Sequence, residues 1–300
     1  MTKLSAATAT NPTNLPPRYE IRRLTEEHIE WVKAIVLHSN MFYSPVWPVC
    51  YPEAKTARLY RGFGAVDYLI RHQIESGHSF GVFDLEYKFK RDESKSTGGK
   101  LYWDLKDETL DQDQLLQQMD FPLVSVALAY DGLHELDMEK IMPLIECLPL
   151  FGAVYHVLEE SDPREAASWK PTGEKQVLMR NATSTRHDAE GNGIMKALAQ
   201  FLMRYAAEQG FRGIQIECLA DAVTKVWSQP PAPFKSTIVA EFNTQDYEEE
   251  VEVDGVKKKV KPFGEAKQRA TKVYCELKPT QNGHANGLAP AAVPAVGALG

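Results

Sequence analysis

Two glycines stand where a helix should begin. The stretch EGNGIMKALAQFLMRYAAEQGF (190–211) follows an apolar run, KQVLMRNAT (175–183), and leads into a long amphipathic pattern. Glycine is a poor helix former. At a strand-to-helix junction, however, it removes the Cβ obstruction, so the free N–H groups of the first turn can meet an anion such as a phosphate. A P-loop would need G-x-x-x-x-G-K-[ST], which is absent, and a dinucleotide fingerprint would need Gly or Ala where Lys196 stands. A glycine pair that merely caps a core helix is the plain alternative.

Other chemistry-bearing residues are scattered. Glu217, in GIQIECLA (213–220), faces opposite to Ile216 and Cys218 and is a candidate base or water relay, with a purely structural carboxylate as the alternative. Asp84 and Glu86 share one face of SFGVFDLEYKF (79–89) and are further candidates for the base or for an anchor of an amine. The eight histidines form no H-E-x-x-H pair and no G-x-S-x-G elbow occurs, so zinc and serine-hydrolase chemistry lack support and no metal is expected. His187, just before the glycines, is read as solvent-facing or as a phosphate or adenine contact. Cys50 has no local His or helix start to lower its pKa and reads as an inert thiol. Phe42, Tyr43, Trp47, Tyr51 and Tyr60 read as core or as a substrate wall.

Elements must position these groups. RYEIRRL (18–24) reads as a short strand, with Thr25 capping a helix that carries Ile29, Val32, Ile35 and Val36. Three prolines in SPVWPVCYP predict a break, and a second helix spans roughly 53–76. Strands are expected at 79–89, in KLYWDL, at 122–132, 175–183 and 213–220, and in STIVAEFN and TKVYCELK. Residues 136–160 read as helix interrupted at Pro143 and Pro149, 193–209 as a helix closed by Gly210, and about 221–228 as a short helix. YEEEVEVDGVKKKVKPF predicts a hairpin turning at Asp254-Gly255, with Glu252 opposite Lys257 and Glu250 opposite Lys259. Residues 1–17 and 279–300 read as disordered tails around a single domain of 18–278, with insertions at about 90–120 and 245–262.

The element order and the segment 190–211 together resemble the GNAT superfamily of acyl-CoA N-acyltransferases over about residues 18–278. That segment looks like the family's [Q/R]-x-x-G-x-[G/A] turn, K-A-L-type helix and E-x-G-F end. Gly191, Asn192, Gly193 and Ile194 occupy the turn, and Lys196, Ala197 and Leu198 continue into the helix. Glu190 stands where the family usually has Arg or Gln, and Met195 replaces a small residue. The resemblance implies a mixed α/β fold with a mostly antiparallel sheet of about seven strands, splayed at the coenzyme site. It implies that Ala182, Thr183, Ser184 and Thr185 pair with the pantetheine arm of acetyl-CoA, the co-substrate. Residues Glu190, Gly191, Asn192, Gly193, Ile194, Met195 and Lys196 would then surround its pyrophosphate. Acetyl transfer to a primary amine by direct attack follows, with Glu217 as the base. The family's usual acid is a tyrosine on the short helix near 221–228, where this chain has Trp227. A catalytically impaired GNAT-like module that binds a ligand or a protein is the alternative.

Composition narrows the partners. A net charge of −7 argues against general attraction to nucleic acid or anionic membrane, which leaves a small-molecule or peptide amine as acceptor. Four widely spaced cysteines read as reduced thiols, and no long apolar stretch suits a membrane span. The cytoplasm is therefore the expected compartment, with the nucleus as a second.

Overall fold

The computed structural model describes residues 15–278 apart from Asp254; most of both expected tails thus lies outside the described residues. Seven strands form the main sheet: β1 (Tyr19–Arg23), β2 (Phe80–Asp84), β3 (Leu123–Asp131), β4 (Val177–Thr185), β5 (Gly213–Cys218), β6 (Lys235–Asn243) and β7 (Arg269–Glu276). Their spatial order is β1-β2-β3-β4-β5-β7-β6. Every neighbouring pair is antiparallel except β4 with β5, which run parallel. A parallel pair needs a crossover, and the helix that the glycines open supplies it.

Helices cover both faces. These are α1 (Ile29–Tyr43), α2 (Lys55–Ala65), α3 (Asp67–Glu75), α4 (Met138–Cys147), α5 (Pro149–Glu160), α6 (Ile194–Gln209) and α7 (Asp221–Ser228). On one face, α6 buries Ile194, Leu198, Phe201 and Tyr205 against Phe80, Ile214 and Ile216. Each large apolar side chain buried this way contributes roughly 2 kcal/mol. That stripe outweighs any cost of a glycine start, about 1 kcal/mol per glycine. The helix ends as its sequence requires: Phe211 N–H donates to Ala206 C=O and Gly210 N–H to Ala207 C=O, with Gly210 at φ 98°. On the opposite face α1 to α4 share a second core, while Val154 and Leu158 of α5 pack with Ala240 and Ala270 of β6 and β7.

Several expected elements change shape. The helix expected at 53–76 divides into α2 and α3 around Val66, after Gly62 and Gly64 weaken its last turn. The strand at 79–89 stops at Asp84, because the Asp84 carboxylate accepts from Glu86 N–H (3.0 Å) and turns the chain. All of β2 is buried, so its two faces meet two cores rather than core and solvent. Trp47–Cys50 forms one helical turn despite the prolines, since Pro48 lies in its first turn, where no N–H is needed. KLYWDL keeps only Lys100–Leu101 as strand, paired with Met119–Asp120. The hairpin pairs Lys257 with Glu252 and Lys259 with Glu250, as expected. Its ion pairs run diagonally, Lys257 to Glu250 (3.5 Å) and Lys259 to Glu248 (3.4 Å); Asp254, half of the expected turn, lies outside the described residues.

Candidate active site

β4 and β5 pair from Val177–Gly213 to Arg180–Ile216 and then part. Among the described residues β4 beyond that point pairs only with β3, so Ala182, Thr183, Ser184 and Thr185 present there one edge without sheet bonds. The pairing with β3 passes from Leu128–Ala182 to Ala129–Arg180, leaving Asn181 as a bulge. Asn181 Nδ2 donates to Tyr155 Oη at 2.9 Å, which ties α5 to the point where the strands part.

The gap opens into a cavity of about 550 Å³. Ala182, Thr183, Ser184, Thr185, Glu190, Gly191, Gly193, Ile194, Met195, Lys196 and Glu217 all line it. Asn192 does not; its amide donates to Ala189 C=O (3.0 Å) and Glu190 C=O (3.2 Å) and braces the turn from behind. Gly191 and Gly193 have φ of 78° and 72°, and a Cβ built on either would meet nothing within 4 Å. Backbone handedness, not crowding, therefore demands glycine here, and the space before the turn is open. Among the described residues no side chain caps α6, whose first-turn N–H groups have no partner within the helix itself.

The two departures at the turn have separate outcomes. The Glu190 carboxylate lies 3.1 Å from His187 Nδ1, and the His187 ring stacks on Tyr43 (3.8 Å between centroids). His187 is thus a half-exposed brace at the turn and is not among the cavity's lining residues. Arg186 is committed elsewhere, buried with Asp188 (2.7 Å) and Phe121 C=O (2.8 Å), which leaves exposed Lys196 as the cation of the lining. Met195 is partly exposed on the same lining.

Glu217 is the carboxyl of the lining that stands where the strands part. Burial pushes its carboxyl up to about 7, against the pull of the Lys272 charge and a long hydrogen bond from Gln215 Nε2 (3.5 Å). Lys272 faces Glu217 across the β5–β7 ladder, yet its Nζ bonds Asp162 at 3.1 Å. Tyr155 also lines the cavity, and burial drives its hydroxyl well above the ordinary tyrosine range, so it stays protonated. The spacing of PLFGAVYHVLEE marks Tyr155 only as one more residue of a helix; its link to Asn181 is long-range.

Other candidates separate from this site. Asp84 pairs with Arg18 (2.5 and 3.1 Å) and, with Glu86, lines a different, polar pocket behind the glycine turn. Trp227 is fully buried beside the Arg180 guanidinium (5.6 Å) and does not reach the cavity. Tyr43 and Trp47 line the cavity, whereas Phe42, Tyr51 and Tyr60 do not. Burial pushes the Cys50 thiol up to about 11, as an inert thiol requires. Among the described residues no group of His, Cys, Asp and Glu is arranged to hold a metal ion, and no helix is long and apolar enough to cross a membrane.

No protein-family model matches this sequence, and no curated protein is similar to it. Solved structures do match. The C-terminal condensation domain of Ebony, in complex with beta-alanyl-dopamine, superposes with a TM-score of 0.51 at 19% identity, covering 85% of this chain and 97% of that one. A protein of the yellow fever mosquito Aedes aegypti assigned as arylalkylamine N-acetyltransferase 7 gives 0.50 at 10% identity, over 87% and 88%. At such identities the likeness speaks to the fold. With seven strands, one parallel pair and a glycine turn at the splay, this chain shares the mixed α/β fold of these structures, the fold that the GNAT resemblance implies.

Proposed function

We propose that this chain is an acyl-CoA-dependent N-acyltransferase that moves acetyl from acetyl-CoA to a primary amine by direct attack on the thioester. One observation carries the reading: a single cavity joins a free strand edge, an open glycine turn at a helix N-terminus, and a carboxyl held near neutrality. Acetyl-CoA supplies the activated acyl group. The free backbone groups of Ala182 to Thr185 suit an extended, amide-bearing arm added as a strand. The N–H groups from Gly191 to Lys196 suit a diphosphate, with Lys196 offsetting Glu190.

Glu217 then takes the proton that the attacking amine must lose, a task matched to a pKa of about 7. The new N–C bond forms as the C–S bond breaks, and sulfur leaves with the electron pair. Tyr155, held neutral and fixed by Asn181, donates toward that departing charge. The reducing cytoplasm is the proposed compartment, since all four cysteines stand as free thiols.

Calorimetric titration with acetyl-CoA, followed by free-thiol release across an amine panel, tests the reading. Gly193→Trp should abolish coenzyme binding with the circular dichroism spectrum retained, because an indole at φ 72° strains the turn and fills the space before it. Absence of binding at millimolar coenzyme would defeat the proposal. Trp227 is buried and α7 brings only Ala222 and Val223 to the cavity, neither a proton donor, which favours a second reading as a ligand-binding or protein-interaction module. Coenzyme binding without turnover of any amine would select it.

A further inference from the structure

Charge is distributed unevenly along the cavity. Three charged side chains occur among its lining residues, and two of them, Glu190 and Lys196, belong to the glycine turn. The third, Glu217, stands where the strands part. Away from these, α3, α4, α5 and the segments beside them contribute an apolar stretch of wall, Val66, Leu69, Ile70, Leu144, Leu148 and Phe151. Phe151 lies one turn before Tyr155 on α5, so it shares a helix face with the residue that meets the Asn181 bulge.

Several polar side chains on the lining already hold partners within the protein. Asn40 Nδ2 donates to Val36 C=O (2.8 Å), Ser39 Oγ donates to the same carbonyl (3.3 Å), and Ser44 Oγ accepts from Trp47 N–H (3.1 Å). Asn181 is held by Tyr155. A hydroxyl-rich acceptor would have to compete with these bonds, and a second ammonium on the apolar wall would be stripped of water, since the lining's other carboxylate, Glu190, belongs to the glycine turn and pairs with His187.

We infer that the acceptor is an amine bearing a single charge on an apolar alkyl or aryl body, with its nitrogen directed to Glu217; polyamines and amino sugars are excluded. This rests on the N-acyltransferase reading for the reaction, but the fit of the amine is a separate property of the wall.

The test compares n-hexylamine and 2-phenylethylamine with 1,6-diaminohexane and glucosamine, using the full chain and acetyl-CoA. The monoamines should exceed the diamine in kcat/KM by at least about 100-fold, as expected when a site leaves a buried polar group unpaired. Phe151→Glu, which adds a second carboxylate to the wall, should move the ratio toward the diamine by about tenfold or more. Calorimetric binding of the same four amines without coenzyme is measured in parallel. If acetyl-CoA neither binds nor reacts, the N-acyltransferase reading falls, and this binding order alone decides the inference. Tighter binding of the monoamines upholds it; a diamine that binds or reacts as well, or no amine binding at all, overturns it.

Discussion

Two carboxylates lie around one lysine and end at opposite ends of the acid scale. Asp162 is pushed up by burial, but Arg164 donates from Nε (2.9 Å), Nη2 (2.7 Å) and its backbone N–H (3.1 Å), and Lys272 adds Nζ (3.1 Å); the carboxyl falls to about 2. Glu217, across the ladder from the same lysine, receives its own backbone N–H and a long bond from Gln215, and burial carries it up to about 7. Gln215 joins the two, since its Oε1 accepts from Arg164 (2.8 Å). The difference teaches that a nearby cation's field alone does not offset burial of a carboxyl, whereas several direct donors do. Asp162 is thereby fixed as structure, and Glu217 is left free to exchange a proton.

Breaking the structural half has the largest expected effect. Asp162→Asn leaves Arg164 and Lys272, with side chains only 14% and 5% exposed, without their anion, and should lower stability by about 3–5 kcal/mol at neutral pH in urea unfolding. The folded pKa lies below that of a free carboxyl, so this stability is present above about pH 4 and is lost as pH falls toward 2. Equal losses at pH 2 and pH 7 would mean that the charge is not responsible.

Glu217→Gln breaks the other half with the opposite signature. Amine acetylation should fall by about 10²–10⁴-fold. The wild-type kcat/KM should rise through a pKa of about 7, and this limb should disappear in the variant, leaving the limb set by the amine itself. Stability should improve: the folded pKa exceeds the unfolded one, so the wild type loses stability from about pH 4.5 to 7 and stays low beyond. The variant should gain about 1–3 kcal/mol at pH 8 and almost nothing at pH 4. A variant that loses both activity and stability at pH 8 would mark Glu217 as structural. Tyr155→Phe is milder, with kcat about tenfold lower and coenzyme affinity unchanged, at the cost of the acceptor for Asn181, about 1 kcal/mol. Unchanged kcat would remove Tyr155 from the reaction.

This contrast also separates what could be read from the chain from what could not. The glycine turn was legible because its chemistry is local: positive φ needs glycine, and the apolar stripe of α6 follows within one helix. Glu217 was legible as a face of a strand, but its near-neutral pKa was not, because it depends on burial and on Lys272 turning to Asp162, which lie 55 positions after and 55 before Glu217 in the chain. Tyr155 and the apolar wall were illegible for the same reason: they become a site only when α3, α4 and α5 meet at the bulge of β4. Trp227 was legible as an indole but not as core, since its burial beside Arg180 is a tertiary fact. Asp84 and Glu86 misled because alternation placed both on one face, while the turn at Asp84 sends them behind the site.

Lys272→Met gives the smallest and sharpest test. Lys272 is 5% exposed on its side chain, and Met keeps most of its length against the Trp169 ring (4.9 Å). Asp162 retains all its Arg164 bonds, so the protein should still fold, with a smaller loss than Asp162→Asn. Glu217 loses the charge that draws its pKa down, so the acidic limb of kcat/KM should move to higher pH while the plateau rate holds. If the limb stays in place and only stability changes, Lys272 serves Asp162 alone, and the field of a cation committed elsewhere does not reach Glu217.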